Sequence, residues 1–61
     1  MIYDKIKEVC KAKGLSVTQV EKQANLSTGA ISKWNESSPT VENLKAVADV
    51  LGTTVDELLV P

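Results

Sequence analysis

The chain has no histidine and no phenylalanine, and only one cysteine, one tryptophan and one tyrosine among its 61 residues. Without histidine, and with a lone thiol that has no base partner, nothing is arranged for nucleophilic catalysis or at metal-ligand spacing, and a glycine-rich phosphate loop is missing too. An enzyme reading therefore has no machinery to rest on, and no cofactor, metal or small-molecule ligand is expected. A chain this small also lacks the volume of an ordinary catalytic cleft. One cysteine cannot close an internal disulfide, on which secreted mini-domains of this length normally depend, so a reducing, cytoplasmic setting is expected. No apolar run approaches the ~20 residues of a membrane span and no signal-peptide core is present. An excess of positive charge is lacking as well: seven basic residues face eight acidic ones, for a net charge of −1. That balance argues against indiscriminate attraction to nucleic acid, without excluding specific binding through a polar face.

What is present is aliphatic. Apolar residues make up 43% of the chain, enough for one core, and residues 1–61 form one small domain. A chain of this size buries only about 60% of its unfolded surface, so its stability is modest. Charge is unevenly spread: Lys5, Lys7, Lys11 and Lys13 crowd the start, Glu42, Asp49, Asp56 and Glu57 the last third. The early lysines read first as a solvated helix face. Ile2, Ile6, Val9 and Cys10 recur at helical spacing, and Gly14 is placed to end that first helix in a left-handed conformation. Cys10 falls in the apolar stripe, as an inert buried thiol.

Residues 16–36 carry the most information. Ser16-x-x-Gln19 is a capping-box pattern opening a second helix, with Val20 and Ala24 on one face. Asn25-Leu26-Ser27 is a tight turn. Ser27 is placed to cap a third helix over residues 28–36, in which Ile31 and Trp34 form an apolar pair facing the core. Two helices joined by such a turn make a helix-turn-helix, whose second helix can be presented to the DNA major groove. Pro39 breaks the pattern after Ser37-Ser38. Thr40 caps a fourth helix with Val41, Leu44, Val47, Ala48 and Leu51 as its stripe, and Gly52 ends it. Thr54-x-x-Glu57 is a second capping box, opening a fifth helix with Val55, Leu58 and Leu59. No segment reads as a strand, so the expectation is an all-α, five-helix domain.

At this point the chain resembles the Cro/C1-type (XRE) family of phage and bacterial transcriptional regulators, with a lambda-repressor-like fold. The resemblance runs from about Ile6 to Leu59. It is carried by Gly14-Leu15-Ser16, Asn25-Leu26-Ser27, Ala30-Ile31-Ser32-Lys33-Trp34, Pro39-Thr40, Leu44 with Val47-Ala48, and Leu51-Gly52 with Thr54-Val55-Asp56-Glu57-Leu58-Leu59. The Trp-x-x-Ser-Ser-Pro run is most similar to short prophage repressors of low-GC Gram-positive bacteria. Departures from the family pattern are Val17, where a phosphate-touching Gln is common; Glu21, in place of a small residue; Asn25, in place of the turn Gly; Asn35, in place of an acid; and Ser37, in place of Gly. Glu21 is expected along the edge of the packed helix pair.

With Ile31 and Trp34 spent on the core, the resemblance puts base contacts on Thr28, Gly29, Ser32 and Lys33. Lys33 can donate to guanine O6 and N7, Thr28 and Ser32 can donate or accept, and Gly29 lets the backbone approach. Phosphate contacts are expected from Thr18, Ser27, Asn35, Ser37, Ser38 and Asn43, with Lys5 and Lys7 adding attraction. The family implies a homodimer on a pseudo-palindromic operator in double-stranded DNA; the fifth helix and the end of the fourth, around Val50, Val55, Leu59 and Val60, are its candidate contacts. The acidic balance also suits another reading, a protein-interaction module on the same fold, such as an antitoxin or anti-repressor partner. A positive face at residues 28–33 separates the first from the second, which calls for an apolar patch there.

Overall fold

The computed structural model describes residues 2–59. Among them are four α-helices and no strand: α1 (Ile2–Ala12), α2 (Val17–Gln23), α3 (Val41–Leu51) and α4 (Val55–Leu59), with a short 3₁₀ turn, Ile31–Lys33, between α2 and α3. Three reversals of one kind separate the helices. Gly14 (φ 71°), Asn25 (φ 63°) and Gly52 (φ 68°) each take a left-handed conformation just past a helix end. In each, two backward backbone bonds tie off the last carbonyls. Leu15 N reaches Cys10 O at 2.9 Å, Leu26 N reaches Glu21 O at 2.8 Å, and Thr53 N reaches Ala48 O at 2.9 Å. This paired pattern is the Schellman motif, and glycine or asparagine suits its left-handed position best.

The helix starts are set by side chains. Ser16 Oγ accepts from Gln19 N at 3.1 Å while Gln19 Oε1 accepts from Ser16 N at 2.9 Å, the full capping box. Thr40 Oγ1 accepts from Asn43 N at 3.1 Å at the start of α3. At α4 only half of the expected box forms. Thr54 Oγ1 accepts from Glu57 N, but the Glu57 carboxylate accepts from the neighbouring Thr53 hydroxyl instead of the Thr54 amide.

These reversals fold the helices onto one core of Ile6, Cys10, Val20, Ile31, Trp34, Leu44, Val47, Ala48, Leu51 and Leu58. Helix α1 packs on α2, α4 and the 3₁₀ turn, and α3 packs on α2 and α4. Trp34, at 8% exposure, is a core residue, as its spacing from Ile31 implies. Cys10 is buried too, and burial raises its thiol pKa above the ordinary value. Val41, expected in the stripe of α3, is 78% exposed, because its place in the first turn carries it past the end of the core. No helix among the described residues is long and apolar enough to cross a membrane.

The third of the five helices expected from sequence, over residues 28–36, is not an α-helix. Gly29 has φ 90°, outside right-handed helical space, so regular structure cannot begin before Ala30. From there the bonds are mostly of the tight kind: Lys33 N to Ala30 O at 3.3 Å, Trp34 N to Ile31 O at 3.0 Å and Glu36 N to Lys33 O at 3.0 Å. In a 3₁₀ turn residues three apart eclipse one another, so Ile31 and Trp34 fall on the same side and both enter the core.

Candidate nucleic-acid interface

Helix α2 is anchored by Val20, fully buried, and is closed off by the left-handed Asn25 beyond its last turn. The chain crosses Leu26 and Ser27 and enters the segment 28–36, held from beneath by Ile31 at 0% exposure. Thr28, Ser32, Lys33 and Glu36 are exposed on it, and Gly29 and Ala30 are half-buried. The residues expected to read bases thus share one short segment whose apolar side is fixed in the core.

What fixes the start of that segment is not the residue expected from sequence. Glu21 is 2% exposed, buried between α2 and the segment rather than lying along their edge. Its Oε1 and Oε2 each accept from Gly29 N at 3.1 Å, and Oε2 accepts from Ile31 N at 3.0 Å. A buried carboxylate therefore caps the amides for which Ser27 is the expected cap. Ser27 supplies its backbone carbonyl instead, to Ala30 N at 3.0 Å, and its side chain is exposed. The cap agrees with electrostatics, since the start of a helical segment favours negative charge.

The far end is held by Asn35. Expected to meet a phosphate, Asn35 is instead turned toward α1, where its Oδ1 accepts from Tyr3 N at 3.0 Å and its Nδ2 donates to Asp4 Oδ1 at 3.3 Å. Each polar atom of the side chain thus makes one hydrogen bond within the protein. The sequence carries no local signal for either contact: Glu21 reaches eight and ten residues ahead, and Asn35 pairs with a residue 32 positions away.

The remaining candidates are placed as follows. Thr18 is exposed in the first turn of α2, Ser37 and Ser38 are exposed after the segment, and Asn43 is half-buried in the first turn of α3. The Ser32 hydroxyl donates to Gly29 O at 2.7 Å, so its lone pairs are what it offers outward. Gly29 has its amide on Glu21, its carbonyl on Ser32 and open space where a Cβ would be. Lys33 supplies the positive charge of the segment. Lys7, far from it in sequence, sits with Nζ 5.0 Å from the Tyr3 ring centroid, a cation–π distance. Of the expected dimer contacts, Val50 and Val55 are half-buried and Leu59 is 53% exposed; Val60 lies outside the described residues.

Two helical segments joined by a left-handed turn, the second seated on the core by an apolar pair and bearing polar groups outward, define a helix-turn-helix domain. A sequence model described as helix-turn-helix matches residues 6–58, and the chain belongs to this family, of the Cro/C1 type, a class of DNA-binding transcriptional regulators. Among curated proteins it is similar to the HTH-type transcriptional activator BcrR of Enterococcus faecalis, 34% identical over 58 residues. That alignment covers 92% of the chain and 28% of the relative, so the chain spans less than a third of the protein it matches. No solved structure matches it.

Proposed function

We propose that the chain reads a specific operator through residues 28–36 and acts as a phage-type repressor, binding a pseudo-palindromic site as a dimer. The observation that carries this reading is the pairing of Ile31 and Trp34, at 0% and 8% exposure, beneath the exposed Thr28, Ser32 and Lys33. A segment anchored from below and polar above leaves its polar groups free for base edges in the major groove. Thr28, Gly29, Ser32 and Lys33 meet base edges. Thr18, Ser27, Ser37, Ser38 and Asn43 meet phosphates and fix the register. Asn35 leaves that group, its side chain being engaged on α1.

Size and charge support the dimer. The described chain measures 23 × 23 × 17 Å, whereas half-sites one helical turn apart lie about 34 Å from centre to centre. One copy covers one half-site. With a net charge of −1, it gains little from counterion release, so useful affinity requires two copies acting together. Leu59 and Val55, with Val50, supply apolar surface for that pairing. The Enterococcus relative is named an activator; repression here rests on the resemblance to short prophage repressors.

Selection from random duplex DNA at low salt, followed by affinity measurements at rising salt, tests the reading. Enrichment of a two-fold symmetric motif whose binding is lost when Thr28 and Lys33 become Ala is the expected result. Binding indifferent to sequence and to those substitutions would instead favour the protein-interaction module that the acidic balance suits. Sedimentation of a lone monomer at high micromolar concentration, with and without the enriched site, would count against the dimer.

A further inference from the structure

We infer that Glu21 and Asn35 are positioning residues that clamp the two ends of the reading segment and thereby set how well it tells one sequence from another. This inference rests on the operator reading above and concerns residues that touch no DNA. The segment is poor in support of its own. Its only regular structure is the three-residue turn Ile31–Lys33, and Gly29 breaks the helical path before it. Its start is held by the Glu21 carboxylate on the Gly29 and Ile31 amides. Its end is held by Asn35, which takes the Tyr3 amide at 3.0 Å and gives its own amide proton to Asp4 at 3.3 Å. Tyr3 lies in the first turn of α1, whose amides have no partner inside the helix. Asn35 therefore satisfies one of those amides while tying residue 35 to α1.

Ser32 and Lys33 sit between the two clamps. Base readout demands placement within about 0.5 Å, because a hydrogen bond to a base edge fails when donor and acceptor are misaligned. Attraction to the phosphate backbone tolerates looser geometry. Loosening a clamp therefore lowers operator affinity and spares affinity for random DNA. A direct phosphate ligand behaves otherwise, since its loss weakens both together.

Exchanging the Asn35–Asp4 pair separates the two roles. Asn35→Asp removes the donor and sets two carboxylates against each other. Adding Asp4→Asn restores one donor and one acceptor with their places exchanged, leaves an oxygen for the Tyr3 amide, and returns the net charge to that of the wild type. The expected result is a loss of about 10-fold in operator affinity for Asn35→Asp, with the operator-to-random ratio falling alongside, and recovery to within about 3-fold in the double variant. If position 35 is a phosphate ligand, its new carboxylate repels DNA in both variants, random-sequence affinity falls in parallel and nothing is recovered; that outcome overturns the inference. A wild type that selects no operator overturns the operator reading itself. The clamp then stands or falls on amide hydrogen exchange in the folded protein: at least about 10-fold faster exchange at Tyr3 in Asn35→Ala, and at Gly29 or Ile31 in Glu21→Gln, which keeps one oxygen for two donors, supports it, and unchanged exchange at all three overturns it.

Discussion

Both carboxylate oxygens of Glu21 lie 3.1 Å from the amide nitrogen of Gly29. The same carboxylate also takes the Ile31 amide, so one buried side chain satisfies two backbone donors across the turn. Its removal leaves both donors short of a partner, one of them on a fully buried residue. Each orphaned donor costs about 1–3 kcal/mol. Glu21→Ala is therefore expected to destabilise the domain by about 2–4 kcal/mol, a large share of the few kcal/mol available to a chain this short. Glu21→Gln, which keeps one oxygen, costs less. Urea unfolding checks this through the midpoint at constant slope; a midpoint for Glu21→Ala within experimental error of the wild type would show that the carboxylate does not hold the segment.

Backbone conformation at two nearby positions predicts substitutions of opposite sign. Gly29 sits at φ 90° with nothing within 4 Å of the place a Cβ would take, so Gly29→Ala meets no clash and suffers only from the backbone angle. The expected loss is about 1–2 kcal/mol. Asn25 holds φ 63° with a side chain attached, and Asn25→Gly relieves that cost, leaving stability unchanged or raised by less than about 1 kcal/mol, the gain being limited by the greater freedom of glycine in the unfolded chain. Thermal melts of the two variants against the wild type give the signs directly. A stabilised Gly29→Ala would mean that residue 29 adopts helical angles in solution.

The contrast between these neighbours shows what is legible in the sequence. Gly14, Asn25 and Gly52 are readable as helix ends because a left-handed stop is a local event, satisfied by the few residues before it. Ser16 with Gln19, and Thr40, are readable for the same reason. The segment 28–36 is not: Ser27 reads as its cap because serine before an apolar pair usually is one, but the cap comes from Glu21 on the preceding helix. Asn35 reads as a phosphate donor because it follows Trp34 on a polar run, but α1 takes its side chain. Val41 fits the period of α3, yet periodicity says which side a residue faces and not whether the core extends that far. The placement of Ile31 and Trp34 beneath Ser32 and Lys33 is legible even so, because any tight helical segment puts residues three apart on one side.

Cys10 gives the chain a pH dependence of predictable sign. Burial raises its thiol pKa above the ordinary 9.0. Below that ordinary value both folded and unfolded chains hold the proton, and the thiol leaves stability unchanged. Above it the unfolded chain gives up its proton first, so stability falls as pH rises toward the folded value, by at most about 1.4 kcal/mol per pH unit. Other groups titrate in the same range, so the measurement is a difference: the wild type should lose stability more steeply than Cys10→Ala as pH rises above the ordinary thiol value. Parallel slopes would mean that Cys10 is as open to solvent folded as unfolded. The same burial predicts slow reaction with thiol reagents under native conditions and fast reaction in urea.

The hydrogen bond from the Ser32 hydroxyl to Gly29 O, at 2.7 Å, bears on which base the segment reads. With its proton committed inward, Ser32 presents lone pairs, and a base edge that meets them must carry an amino group, which in the major groove means adenine N6 or cytosine N4. Lys33 presents only donors and suits guanine O6 and N7. Ser32→Ala should then flatten the preference for an amino-bearing base at one position of each half-site by about 1 kcal/mol. Lys33→Met should flatten a guanine preference by about 1–3 kcal/mol. Affinity for random DNA should stay within about two-fold in both variants, as befits residues that touch bases and not the backbone. Competition assays across single-base variants of the selected site, repeated at several salt concentrations, read each quantity separately. If Lys33→Met weakens every sequence alike and lowers the salt slope by about one, Lys33 binds a phosphate, and the guanine preference has to come from another residue of the segment.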